Sequence, residues 1–375
     1  MKLQVLPLFA LATLLACSDG VAPEPVPDDP LRPTPQRVVG VAMAFQSTCA
    51  LTADGKLHCW GENRSGEFGD GTLTPSATPV VGAGGMELAA VFGSMGTAQM
   101  CGLARDQAAY CWGYNANGEL GTGVPGDHQP PVPVAGGLRF RSLATSYHSC
   151  GVATDGQAWC WGSGFGGQRG AGGPVASAGP GRVASTAAYT AITNGMQFSC
   201  ALRQADGHAD CWGWGAGMGS GPADRSVDLP TPVSGDLRFT AISAGEEHVC
   251  ALASDGQAWC WGELTPWPDG FRGAPERVAG GRRFVEVASA SRTGVFGASC
   301  ARTAGGEVFC WHDGEAPLPL PGNRRFAGLA GGHGRFCGFT AGGAAFCWGW
   351  GSNGSGRPVL STPAAIPAIP APGQG

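Results

Sequence analysis

Apolar and polar residues alternate along this chain in short runs, and each run stops at glycine, proline, asparagine or aspartate before reaching helical length. Cys49-Ala50-Leu51-Thr52 and Lys56-Leu57-His58-Cys59 flank Ala53-Asp54-Gly55. An Asp-Gly between two such segments is a strong hairpin signal. With Gly55 in the left-handed position of a three-residue loop, Thr52 faces Lys56, and counting outward sets Cys49 directly opposite Cys59. The same count pairs Cys150 with Cys160 around Asp155-Gly156 and Cys250 with Cys260 around Asp255-Gly256. Cys200 and Cys211 carry one extra residue in their turn, around Asp206-Gly207.

The unit recurs. Cys101/Cys111, Cys300/Cys310 and Cys337/Cys347 complete seven pairs, spaced about fifty residues apart except for the shorter last interval. A tryptophan follows the second cysteine of every pair: Trp60, Trp112, Trp161, Trp212, Trp261, Trp311 and Trp348. Tyr110, Trp159, Trp259, Phe309 and Phe346 precede it, so alternation puts large rings on the face opposite the sulfur. Both faces then need cover, as in a blade held between two neighbours. A further apolar strand lies about twenty residues before the second cysteine, as in Phe140–Ala144, Phe239–Ser243 and Phe326–Ala330. A fourth follows a turn region, as in Pro131–Val134 and Pro230–Val233. Four strands repeated seven times predict an all-β, seven-bladed propeller.

Composition agrees. The 65 glycines and 29 prolines among 375 residues leave no room for long helices, while 43% apolar residues and 12 tryptophans require a core. A net charge of −5 with no basic run disfavours nucleic acid as the partner. Fourteen of the 15 cysteines form the seven pairs. Structural zinc takes cysteines two to four residues apart in sets of four, a pattern these pairs do not follow. They therefore read as one cross-strand disulfide per blade in an exported protein.

The remaining cysteine supports export. Lys2 and the apolar run Leu3–Ala16 form a signal segment too short to span a bilayer. Leu14-Leu15-Ala16-Cys17 resembles the lipobox of bacterial lipoproteins, which implies acylation of Cys17. The expected organisation is a lipoprotein signal peptide at 1–16, a Pro-rich acidic tether at 17–36, the propeller at 37–370 and a loose tail at 371–375. Part of Pro363–Gly375 is expected to add one last strand. The expected location is the bacterial cell envelope, outer membrane or surface ahead of inner membrane, with the lipid as sole membrane contact and the protein monomeric.

Cys59-Trp60-Gly61-Glu62-Asn63-Arg64-Ser65-Gly66-Glu67-Phe68-Gly69 and Cys111-Trp112-Gly113-Tyr114-Asn115-Ala116-Asn117-Gly118-Glu119-Leu120-Gly121, with the Asp-Gly hairpin, resemble the RCC1 repeat of the chromosome-condensation regulators. The resemblance runs from about Arg37 to about Pro370. It implies a seven-bladed propeller of the RCC1 and β-lactamase-inhibitory protein II type. Blades three, four and seven keep Trp-Gly but lose the Asn-x-x-Gly-x-Leu-Gly string, and blade six is short after Cys310-Trp311-His312. Nothing resembles the exchange wedge of the eukaryotic member, so exchange activity does not transfer with the fold.

No nucleophile elbow, phosphate loop, zinc-protease string or calcium loop is present. Ser254-Asp255-Gly256-Gln257-Ala258-Trp259 is too short for a sialidase Asp-box. His148 and His248 share one slot, two before the first cysteine, where other units place Ser47, Gln99, Phe198, Ala298 and Arg335, so a structural role is expected. His58, His128, His208, His312 and His333 occupy scattered slots. The expectation is a non-enzyme without cofactor or metal that binds an unidentified protein. Candidate contacts are Tyr114, Phe165, Trp214, Trp267, Phe271 and Trp350, on loops that leave the same strand in successive blades. Alternatives are an inhibitor of a secreted or periplasmic enzyme, by resemblance, or an exchange factor or hydrolase.

Overall fold

The computed structural model describes residues 36–126, 128–173, 176–221, 226–264, 271–290, 297–312, 315–352 and 358–369. Cys17, Trp267 and the proposed signal, tether and tail lie outside these residues, apart from Gln36. The described residues form seven antiparallel sheets, at 38–81, 90–133, 140–182, 189–232, 239–277, 286–319 and 328–365. The first shows the plan: strands Val38–Ala44, Ser47–Thr52, Leu57–Gly61 and Ser76–Val81 pair in chain order. First strands of successive blades pack side by side, and that of blade seven returns to that of blade one. They enclose an axial channel of about 270 Å³.

The hairpin count is met residue by residue. Thr52 and Lys56 close the loop, Gly55 has φ of +87°, and Cys49 faces Cys59. All seven pairs are opposed and bonded, with Cα–Cα distances of 4.0 or 4.1 Å. The extra residue between Cys200 and Cys211 is absorbed in the turn, since Leu202 still opposes Ala209. In blade six the fourth strand is reduced to Leu318–Pro319.

Seven cores lie between the blades, and each joins the disulfide of one blade to the tryptophan of the next. Cys49 and Cys59 share a core with Trp112, Cys101 and Cys111 with Trp161, and so on to Cys300 and Cys310 with Trp348. The seventh core closes the circle, with Cys337 and Cys347 against Trp60. Within a blade, an aromatic residue at or just before the start of the first strand meets its own tryptophan, for example Phe140 with Trp161 at 5.8 Å and Phe326 with Trp348 at 5.2 Å. The two-faced strand pattern thus becomes a ring in which sulfur and indole alternate.

Among the described residues no strand is exchanged between the ends of the ring: the strands of blade one are all N-terminal and those of blade seven all C-terminal. Closure relies on side chains and a few backbone contacts. Val38 N–H donates to Gly343 O at 3.0 Å, and Arg335 Nη2 donates to Ser47 O at 3.0 Å. Past the short strand Ala364–Ala365, which pairs with Ala345–Ser352, Ile366 and the buried Ile369 pack with Val38, Val41 and Met43. The C-terminal segment is therefore the strap that shuts the ring. Ile369→Ala should lower unfolding stability by about 2–3 kcal/mol. In native-state hydrogen exchange, protection should fall first in blades one and seven; an even loss around the ring would refute this role.

Candidate functional site

In a four-strand meander, the tips joining first to second strands and the loops joining third to fourth strands emerge on one face. The tips place Phe45 and Gln46, Gly96 to Ala98, Tyr147, Met196 and Gln197, Glu246 and Glu247, and His333 around the axis. The third-to-fourth loops ring them farther out. Phe165 is 72% exposed and Trp214 47% exposed, with Trp214 Cβ beside Gly166 of the neighbouring loop. Tyr114 is half-buried. Phe271 opposes Glu263 at the root of its loop, and Trp350 lies edge-on to His312 at 4.2 Å. Among the described residues no ring contact joins these candidate side chains to one another, so they are spread around the rim.

The outer loops are built from the repeat itself. Asn63, fully buried, accepts from Phe68 N–H and donates to Thr72 O and Thr74 O. Asn115 does the same for Leu120, Val124 and Gly126. A carboxylate or amide oxygen then caps the turn: Glu67 accepts from Ser65 N–H, Glu119 from Asn117 N–H and Gln168 from Gly166 N–H. The backbone carbonyls of these three residues accept from the indole N–H of Trp112, Trp161 and Trp212 in the following blade, at 2.8 to 2.9 Å. Trp261 reaches Gly217 O in the same way. A Cβ on Gly69 would lie 2.9 Å from the Trp112 ring, and φ there is +64°. Blades three and four lose the asparagine yet keep this glycine, as Gly170 and Gly219. The part of the motif that survives is the part the next indole sits on.

Buried polar residues link the blades just beneath this face. Gln99 Nε2 donates to Ser149 Oγ and Glu119 O, both at 2.7 Å. His148 Nε2 is 2.7 Å from Ser199 Oγ, and His248 Nε2 is 3.0 Å from Ser299 Oγ. The variable slot is thus an inter-blade hydrogen-bonding position served by whichever polar side chain reaches the next blade. Burial drives the imidazole of His148 down to about 3, aided by the charge of Arg169, and that of His248 down to about 4. Both are neutral at physiological pH and have no part in surface chemistry.

A recess of about 490 Å³ opens on the same face between blades one and two. Its aromatic walls are Phe45, Tyr114 and Tyr147, and its charged residues are Glu62, Arg64, Glu67 and Glu119. Phe45 has φ of +46°, a left-handed conformation costly for a bulky residue, and presents a 41% exposed ring 5.0 Å from that of His333. Burial raises the Tyr147 phenol, as does the charge of Glu246. Burial also raises Glu67, against hydrogen bonds from the backbone. Phe45 and Tyr147 are absent from the sequence-derived candidates. Each lies three or four residues before a first cysteine, in a slot whose residue type changes from blade to blade, so no repeated signal marks them.

The opposite face carries the Asp-Gly turns, with Val39 and Val285 exposed beside them. Its ion pairs are exposed, among them Arg139 with Asp106 at 3.1 Å and Arg325 with Glu307 at 2.7 Å. Such pairs contribute little to stability.

Residues 38–67 and 239–263 match the family described as the regulator of chromosome condensation (RCC1) repeat. They cover the first three strands of blade one with part of its outer loop, and the first three strands of blade five. Among curated proteins, the ultraviolet-B receptor UVR8 of Arabidopsis thaliana is 24% identical over 68% of this chain, and human E3 ubiquitin-protein ligase HERC2 is 29% identical over 60%. The chain spans 46% of the length of the first and 4% of the second. The solved structure of Prp20p from Saccharomyces cerevisiae, described with its binding to Gsp1p and histones, superposes with a TM-score of 0.67. That match has 19% identity and covers 84% of this chain and 87% of Prp20p.

Proposed function

We propose, for a chain that belongs to the RCC1-repeat propellers, a non-catalytic protein-binding role exercised at the bacterial cell envelope from a lipid anchor on Cys17. The observation that carries it is the placement of aromatic side chains: among the described residues the exposed aromatics Phe45, Phe165 and Trp214 all lie on this face, while the large hydrophobics exposed beside the opposite turns, such as Val39 and Val285, are aliphatic. Aromatic anchors of this kind dominate the energetics of protein interfaces. The fold likeness to Prp20p, a protein that binds Gsp1p and histones, supports the use of the scaffold for protein recognition. Seven disulfides support an oxidising compartment, and Leu14-Leu15-Ala16-Cys17 supplies the anchor.

The test uses photo-crosslinking in intact cells. A crosslinker placed at residue 165 or 214 should yield one discrete adduct with an envelope protein, and one at 105 or 139 on the opposite face should not. Phe165→Ala with Trp214→Ala should weaken capture of that protein by about 10- to 1,000-fold. The same adduct from both faces, or none from the rim, would overturn the reading. Cys17→Ser should abolish incorporation of labelled fatty acid and release the protein from the membrane fraction.

A further inference from the structure

Glu67 and Glu119 fill the same slot in blades one and two, are 2% and 1% exposed, and border the recess between those blades. Their shared loop role is to accept a backbone N–H two residues upstream, and blade three performs it with an amide: Gln168 Oε1 accepts from Gly166 N–H at 2.8 Å, while Glu119 also accepts from Asn117 Nδ2 at 2.8 Å. The turn therefore needs an oxygen, not a charge. Among the described residues neither carboxylate has a basic side chain within salt-bridge distance. Among the described residues the one cation on the recess wall is Arg64, which is 83% exposed and already paired with Glu62 at 2.9 Å. Burying a carboxylate whose nearest cation is exposed is costly, and the backbone cap gains nothing from the charge that glutamine would not supply.

Resting on the protein-binding role proposed above, we infer that the recess receives a cationic side chain, an arginine or a lysine, projected by the partner protein. Glu67 and Glu119 supply the counter-charge while Glu62 holds Arg64 aside, and Phe45, Tyr114 and Tyr147 supply ring faces for the cation and its aliphatic stem. The raised carboxyl of Glu67 fits a site whose cation arrives with the ligand. A recess of about 490 Å³ is larger than one side chain, so the cation enters with neighbouring residues of an exposed loop. The net charge of −5 favours a basic partner approaching this acidic protein.

The probe is acetyl-Gly-Arg-Gly-amide, titrated into the disulfide-intact full chain by ligand-observed NMR, with the citrulline peptide as its uncharged counterpart. The arginine peptide should saturate in the millimolar range, and the citrulline peptide should bind at least about tenfold more weakly. Glu67→Gln with Glu119→Gln, which keeps the backbone caps as Gln168 does and gives up only the Asn117 Nδ2 bond, should weaken the arginine peptide by about tenfold or more. Should that pair fail to fold, Glu62→Gln on the partly exposed rim should weaken it several-fold by releasing Arg64. Equal binding of the two peptides, or no saturation by the arginine peptide, overturns the inference. Such a result leaves the crosslinks at 165 and 214, on blades three and four, unchanged, so failure of this site and failure of the binding role are separable.

Discussion

Full reduction of this protein is expected to unfold it at room temperature, and limited reduction to open blade seven first. Each disulfide closes a loop of ten or eleven residues. The chain-entropy treatment assigns such a loop about 2.7 kcal/mol, and seven of them together exceed the roughly 5–15 kcal/mol by which domains are usually stable. The bridges also hold seven glycine-rich hairpins whose reduced forms have little else to fix them. Thirteen of the fourteen cysteines are buried, and only Cys347 is partly exposed. A reductant in limiting amount therefore reaches Cys337–Cys347 ahead of the rest, next to the seam where blades seven and one meet. Alkylation followed by peptide mapping should find Cys337 and Cys347 labelled before the other twelve, with loss of tryptophan near-ultraviolet dichroism only at later reduction. Simultaneous labelling of all seven pairs would refute the order. A fully reduced chain that kept its near-ultraviolet signal would refute the dependence.

Acid should destabilise the fold well above the range where carboxylates titrate. His148 and His248 are neutral and hydrogen-bonded across blades, with folded values of about 3 and about 4. In the unfolded chain a histidine titrates near 6.5. Between these values the unfolded state holds more protons than the folded one, so stability is complete above about pH 6.5 and declines as pH falls toward 4. By pH 4 the loss is of order 3 kcal/mol for each histidine. His58, also lowered by burial, adds in the same direction. Denaturant unfolding from pH 7.5 to pH 4 should show this slope. Gln99 makes the equivalent contact from the same slot in blade two, so His148→Gln with His248→Gln should keep stability at pH 7.5 and flatten the acid decline. A double variant as acid-labile as the parent would place the proton uptake elsewhere.

Much of the scaffold was legible because the information that builds a hairpin is local. Strand alternation, an Asp-Gly turn and one glycine with positive φ set the register, and from the register follows the bond between Cys49 and Cys59. The recurrence of that unit gave the blade count, and the flanking rings gave the need for cover on both sides. The surface was less legible. Sequence marked Tyr114, Phe165 and Trp214 because they follow a repeated tryptophan, but missed Phe45 and Tyr147, which occupy two different slots whose residue types vary around the ring. It also treated the drift of the Asn-x-x-Gly-x-Leu-Gly string in later blades as decay, whereas Gly170 and Gly219 persist because an indole from the next blade occupies the space a side chain would take.

Residues within about a dozen positions of one another thus settle the hairpins, their disulfides and the two-faced character of each strand, and the recurrence of that unit about every fifty residues settles the number of blades. Which residues meet across blades follows from the three-dimensional packing. It set the tryptophan of one blade against the disulfide and loop carbonyl of the preceding one, His148 against Ser199, the C-terminal strap against Val38, and Glu67 and Glu119 around one recess. Most of these contacts join residues some fifty positions apart through side chains that the repeat leaves free to vary. Their geometry is fixed by how seven blades close around an axis, and no local spacing encodes that.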